Sequence, residues 1–296
     1  MNMKRHVPTS VNSLSKLPYD LVYADLSGPI SPQSIGGALY TLALLDDCTR
    51  FGEIFFLKHK SDAVKCIKTF CEKVFNQTGK YPQIFHTDGR GEFVNHEMNS
   101  YCYTKGITHR TTAAYQHESN GALERYNQTL QYMVHPSLTD LPKFLWVECY
   151  NWAVYLRNRL PHSVFKGLTP FEVMFNEKPT IKHLRPFRAP CLIQIPIEKR
   201  GTGSKLSPRA LEGRFVGYTD TTHMFRVYIL SQGKVDTYRQ VQFIPSNDTT
   251  FLEVYILSDV TLFNAPPLII PTATSQTPPS HSASNIPNQP STPPHE

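Results

Sequence analysis

Three carboxylates stand where a metal ion could be held. Asp25 lies in "YADLSGP", near the end of an otherwise apolar strand-length run. Asp88 lies in "HTDGRGEF", directly after the run "QIFHT", and Glu124 lies in "YQHESNGALERYNQTL", in the first turns of a predicted helix. An acid at the C-terminal end of a buried strand is costly unless it is paired, hydrogen-bonded or bound to a cation. Three such acids brought together by one sheet and one helix repel each other unless a divalent metal sits between them. Hard oxygen donors of this kind suit Mg2+ or Mn2+. Turn and cap chemistry is the open alternative for all three. It explains other acids fully: Asp46 and Asp47 precede "CTR" in a hairpin, Glu118 can act as an N-terminal helix acid, and Glu92 is a loop acid or a supporting neighbour rather than a ligand.

The elements that must position these acids are legible as changes of period. "LVYADL" (21–26), "LYTLALLD" (39–46) and "FGEIFFL" (51–57) are strand-like runs separated by turn formers, which predicts a three-stranded antiparallel meander. "SDAVKCIKTFCEKVFNQTG" shifts to helical spacing, with Ser61 or Asp62 as a cap and Gly79 as the stop. A strand at 82–87, a helix near 95–105 and a strand in "GITHRTT" follow. A further helix starts near Ser119, with Pro136 limiting its length, and another is predicted in "PKFLWVECYNWAVYLRNRL". Three strands, then alternating strands and helices, then two helices, predict an α/β unit with a mixed sheet and helices on both faces, spanning 18–184. Residues 1–17 form a polar linker. After residue 184 the chain turns basic, with Arg185, Arg188, Lys199, Arg200, Lys205, Arg209 and Arg214 against Glu198 and Glu212. The short runs "CLIQIP", "GRFVGYT", "MFRVYIL" and "VDTYRQVQF" then predict a small β-barrel over 185–250. Residues 264–296 are rich in Pro, Ser and Thr and are expected to be disordered.

The totals bound the function classes. With 296 residues, 40% of them hydrophobic, the chain can bury a sizeable core. A net charge of +6 is compatible with a polyanionic partner without requiring one. The six cysteines form no C-x2-C pair and are expected to be buried reduced thiols. No signal peptide and no apolar run of membrane-spanning length is evident, so an intracellular protein is expected. No G-x4-G-K-[ST] motif is present, and no small-molecule cofactor is expected.

The same residues carry a family resemblance. Asp88 and Glu124 are separated by 35 residues, with Asp25 well upstream. Together with "YADLSGPI", "HTDGRGEF" and "YQHESNGALERYNQTL", this resembles the D,D-35-E core of retroviral and LTR-retrotransposon integrases. "LPKFLWVECYNWAVYLRNRLPHS", "LTPFEVMFNEKP" and "KLSPRALEGRFVGY" are similar to the copia (Pseudoviridae) branch. The match runs from about residue 18 to 245. The resemblance implies an RNase H-like core with strand order 3-2-1-4-5, followed by an SH3-like domain that binds DNA. It implies that Asp25, Asp88 and Glu124 are catalytic ligands of two Mg2+ or Mn2+ ions acting in an in-line displacement at phosphorus. Water would attack for end trimming or nicking, and the 3′-hydroxyl of the element DNA for joining. It also implies a homo-oligomer on DNA, working in the nucleus after cytoplasmic synthesis.

Candidate DNA contacts are Asn120 before the helix, Arg125, Asn127, Gln128 and Gln131 on it, and Lys199, Arg200, Lys205 and Arg209 in the basic stretch. Arg125 could equally pair with a core acid. His86 and His117 flank the acids, where packed or solvated histidines are the plain alternative. With no C-x2-C pair, no structural zinc is expected. Two other readings stay open: an inactive or domesticated DNA-binding relic, and an RNase H-like nuclease that cuts without joining.

Overall fold

A computed structural model describes residues 15–89, 91–111, 121–195, 209–219 and 224–245. The Pro-rich tail and nearly all of the N-terminal linker lie outside the described residues. Strands β1 (Leu21–Ser27), β2 (Tyr40–Asp46) and β3 (Gly52–Leu57) form the predicted antiparallel meander. Helix α1 (Ala63–Thr78) follows and ends at Gly79, whose left-handed backbone (φ 73°) lets its N–H close on the Phe75 carbonyl. Strand β4 (Ile84–Thr87) returns parallel to β1, helix α2 (His96–Lys105) is capped by the Asn95 side chain, and β5 (Thr108–Thr111) lies parallel to β4. The strand order is β3-β2-β1-β4-β5, the order that the resemblance implied.

Side-chain alternation along β1 sorts the two faces. Val22, Ala24 and Leu26, with Leu42 and Leu44 of β2, pack against Ile67, Phe70 and Val74 of α1 and Met98 of α2. Tyr23, with Ala43 and Leu45, packs on the opposite face against α3 (Gly121–Ser137) and α4 (Trp146–Arg157). Each fully buried Leu, Ile or Phe contributes about 1.5–3 kcal/mol, and a one-residue slip of β1 would expose the whole set. The register is therefore firmly set, and it assigns Asp25 to the α3 face.

Helix α3 runs one residue beyond Pro136. A proline so close to the end forfeits a single intrahelical hydrogen bond, so it shortens the helix without breaking it. A short helix, α5 (Pro170–Phe175), was not anticipated, although its signal is present. The Thr169 hydroxyl accepts from the Glu172 N–H at 3.0 Å, and the Glu172 carboxylate accepts from the Thr169 N–H at 2.9 Å, a reciprocal cap before Pro170.

The second unit comprises β6 (Pro190–Gln194), β7 (Ala210–Tyr218), β8 (Phe225–Ile229), β9 (Lys234–Tyr238) and β10 (Gln242–Phe243), in the order β10-β6-β7-β8-β9, with every neighbour antiparallel. One expectation is corrected here. "VDTYRQVQF" is not one strand: it splits into β9 and β10, which occupy opposite edges of the sheet. Among the described residues those two edges do not pair with each other, and the five strands form one antiparallel sheet.

One apolar cluster joins the two units, running from Tyr23 and Leu45 through Leu123, Trp152 and Phe187 to Phe215 and Tyr228. Across this junction the Trp152 indole N–H donates to the Arg185 carbonyl at 3.0 Å, and Tyr155 stacks on Tyr218 at 4.3 Å. Arg226 of β8 donates twice to the Glu148 carboxylate of α4, at 2.6 Å each. Part of the basic stretch is held locally: Arg188 pairs with Asp140, and Arg185 donates to the carbonyls of Lys182 and Leu184. Arg209 is exposed, while Lys199, Arg200 and Lys205 lie outside the described residues.

The hairpin acids are structural. Buried Asp46 accepts from the Tyr19 N–H (2.8 Å), the Thr49 N–H (2.8 Å) and the Thr49 hydroxyl (2.6 Å). Burial still raises its carboxyl above the usual range, against the effect of those bonds. Asp46→Ala leaves three donors without their acceptor, and a loss of about 3 kcal/mol is expected in chemical denaturation; a loss within a few tenths would contradict this role. All six cysteines are free thiols; Cys48 and Cys66 are half-buried and the other four buried. Burial pushes Cys102 and Cys191 up to about 11. Among the described residues no helix is long and apolar enough to cross a membrane.

Candidate active site

The parallel pairing of β1 with β4 positions two of the three acids. Tyr23 lies beside His86 and Ala24 beside Thr87, the last pair of that ladder. Asp25 and Asp88 are each the next residue, so they leave neighbouring strands at the same level. Strands so paired run about 4.8 Å apart. Thr87, fully buried, fixes the start of the loop: its hydroxyl donates to the Asp88 carbonyl at 3.0 Å and lies 2.9 Å from the His109 Nε2 of β5. Both aspartates are partly buried.

Asp25 is also tied to α3. The Asn127 side-chain amide donates to Asp25 Oδ2 at 2.8 Å, and the Ser27 hydroxyl donates to the same oxygen at 3.3 Å. Asn127 sits one turn beyond Glu124 on the same side of α3. A bond between residues 102 apart therefore docks the helix that carries the third acid onto the strand that carries the first. Glu124 itself is exposed. Among the described residues no three His, Cys, Asp or Glu side chains gather closely enough to hold a metal. The structure thus brings Asp25 and Asp88 side by side and holds Glu124 on the helix above them without drawing it in.

The remaining candidates separate by position. Asn127 has a partner inside the fold, an anchoring interaction that residue type alone did not reveal. Gln128 is exposed and donates to the Tyr132 hydroxyl at 3.2 Å, and Gln131 is exposed on the next turn. Asn120 and His117 lie outside the described residues. Glu92 accepts from the Lys60 ammonium at 2.6 Å, an ion pair that accounts for it without a metal. The His86 ring packs on Tyr23 at 5.5 Å, and burial, then the charges of Arg110 and His109, lower its pKa below the ordinary value.

A five-stranded mixed sheet with adjacent carboxylates at its parallel strand ends, followed by an all-antiparallel sheet, defines the class: a mixed α/β core joined to a small β domain. Comparison with known proteins shows what each part resembles. Residues 16–117 match the integrase core domain model and residues 189–254 match the retroviral polymerase SH3-like domain model. The first match takes in Asp25 and Asp88 and stops before Glu124. The chain is 31% identical over 233 residues to the retrovirus-related Pol polyprotein from transposon TNT 1-94 of Nicotiana tabacum, covering 78% of this chain and 17% of that protein. It is 29% identical over 259 residues to the Pol polyprotein from transposon RE2 of Arabidopsis thaliana, covering 85% and 17%. The chain thus spans about a sixth of the length of these curated relatives. Among solved structures, the simian T-cell lymphotropic virus intasome in complex with PP2A regulatory subunit B56 gamma aligns with a TM-score of 0.48 at 15% identity, covering 83% of this chain and 86% of that one. The chain therefore carries an integrase core domain followed by a retroviral polymerase SH3-like domain, and over most of its length it is similar to plant retrotransposon Pol polyproteins.

Proposed function

We propose that this chain is the catalytic core (18–184) and DNA-binding domain (185–250) of a copia-type retrotransposon integrase, a metal-dependent polynucleotidyl-transferase that nicks DNA and joins element ends to a target. The observation that carries this reading is the docking of α3 onto β1 through Asn127 and Asp25, beside Asp88.

The donor set fits a hard divalent cation in kind. Asp25 and Asp88 present carboxylate oxygens at adjacent strand ends, and Glu124, one turn before Asn127, completes the set when its exposed side chain turns toward them. Mg2+ or Mn2+ held there would supply charge neutralisation at the phosphoryl oxygens and an activated attacking oxygen. The chain's own groups do the rest. Asn127 and Ser27 keep Asp25 oriented, the Thr87 hydroxyl steadies the loop that carries Asp88, and the sheet fixes the spacing of the two aspartates. Gln128 and Gln131 face outward on the same helix, placed to meet DNA, and exposed Arg209 with the neighbouring basic residues would give a salt-sensitive contact to the backbone. The resemblance to integrases extends the proposal to a homo-oligomer on DNA ends that acts in the nucleus.

The test is a Mn2+-dependent nicking and strand-transfer assay on oligonucleotides that mimic element ends. Asp88→Asn and Glu124→Gln are each expected to abolish nicking and joining while leaving DNA affinity nearly unchanged. Activity equal to the unsubstituted chain would sink the assignment of these acids. DNA binding by the unsubstituted chain without nicking or joining would instead mark a relic, and nicking without joining a nuclease.

A further inference from the structure

A second face of α3 carries a feature that the chemistry above does not use. Arg125, Tyr126 and Thr129 fall on a stripe beside the Glu124–Asn127 side of the helix. With Arg50 from the β2–β3 turn, Arg157 at the end of α4 and His162 just beyond it, they line a cleft of about 80 Å³. Among the described residues no acidic side chain lines it. Arg50 is braced from outside by Asp47 at 3.1 Å. Arg157 is buried (6% exposed), and Arg125 lies folded toward the helix start, its Nη1 3.6 Å from where a Gly121 side chain would begin.

Three features of the cleft suit an anionic occupant. Three guanidinium groups line one small cleft, and their N–H donors suit an anion. The Tyr126 hydroxyl, in the cleft wall, is buried with no hydrogen-bond partner among the described residues. The His162 imidazole is driven down to about 3 by burial first and then by the charges of Arg157, Arg50 and Arg125. Its Nδ1 accepts from the Val164 N–H at 3.2 Å, which leaves Nε2 protonated as a donor in the neutral ring. A volume of about 80 Å³ is ample for ordered water and leaves room for a small oxyanion in its place.

We propose that the cleft bounded by Arg50, Arg125, Arg157 and His162 is a binding site for a single phosphate group. Guanidinium forks match phosphate oxygens bidentately. The site does not depend on the metal-dependent chemistry proposed above.

The experiment titrates the full chain with inorganic phosphate against chloride at matched ionic strength, and follows Tm together with the NMR titration of the His162 ring. Phosphate is expected to raise Tm saturably, as a ligand of the folded state does, and to move the His162 pKa upward; chloride does neither. Arg125→Gln, at an exposed position, is expected to weaken phosphate binding about tenfold, the weight of one charge-assisted hydrogen bond. Arg157→Gln risks misfolding at its buried position, so Arg125→Gln carries the test. A duplex oligonucleotide separates the sources of the phosphate. Displacement of phosphate by the duplex, with a duplex-binding salt slope reduced by about one in Arg125→Gln, identifies a DNA backbone phosphate. Phosphate binding indifferent to the duplex identifies a free phosphate. A Tm that follows ionic strength alone, or a phosphate effect unchanged in Arg125→Gln, overturns the proposal.

Discussion

Arg226→Ala destabilises the protein more than Glu148→Ala does, and together they cost less than the sum. Glu148 is 8% exposed and receives both of its hydrogen bonds from one guanidinium. Removing Arg226 strands a carboxylate that water barely reaches, for which a loss of about 3–5 kcal/mol is expected. Removing Glu148 leaves an arginine whose side chain is 35% exposed. That charge can turn partly to solvent, so the loss is smaller, about 2 kcal/mol. The pair bridges α4 and β8, hence the first sheet's helical layer and the second sheet. A double-mutant cycle in urea should return a coupling of about 2 kcal/mol, and Glu148→Leu with Arg226→Leu should recover much of the loss by filling the junction with apolar groups. Additive single losses would show that the two units are held by the apolar cluster alone.

Gly52→Ala is the second large effect, and it acts on the site through packing. A Cβ at this position would stand 2.0 Å from the Tyr126 hydroxyl oxygen and 2.3 Å from its ring carbon. Neither side can yield cheaply. Tyr126 is 6% exposed on α3, and Asn158 holds Gly52 from both directions, accepting from its N–H at 2.9 Å and donating to its carbonyl at 2.8 Å. Overpacking of a dense core costs about 1–3 kcal/mol, and more where the backbone must move. The clash therefore pushes α3 away from β3, and Asn127, the residue after Tyr126, loses its reach to Asp25. We expect Gly52→Ala to lose about 3 kcal/mol of stability and to lose nicking even at temperatures where it stays folded. Tyr126→Phe should be close to neutral, because the hydroxyl it removes has no hydrogen-bond partner among the described residues. It should not rescue Gly52→Ala, since the ring carbon still clashes, whereas Tyr126→Leu should. Full activity in Gly52→Ala would show that α3 is not positioned through this contact.

Much of the first sheet was legible because its signals are local. Alternation in "LVYADL" identifies a strand and sorts its faces, and Gly79 and Asn95 mark helix ends within a few residues. The Thr169–Glu172 cap before α5 was equally local and was passed over. The second sheet was harder. "VDTYRQVQF" mixes Val, Tyr and Phe with polar residues in a strand-like pattern, and nothing local says that its two halves serve opposite edges.

The sequence by itself determined the element types, the apolar faces and the three acids at element ends, since each depends on periods and caps that span one or two turns of chain. Only the tertiary structure decided which groups meet. Asn127 reaches Asp25 across 102 residues, Asn158 reaches Gly52 across 106, and Arg226 reaches Glu148 across 78. Arg50, Arg125 and Arg157 converge from three elements on one cleft. The physical reason is that a polar side chain has many chemically equivalent partners along a chain, and the folded topology leaves one within hydrogen-bonding distance. For the same reason Asp25 and Asp88 become neighbours through the parallel pairing of β1 and β4, while Glu124 gains its place above them through the docking of α3.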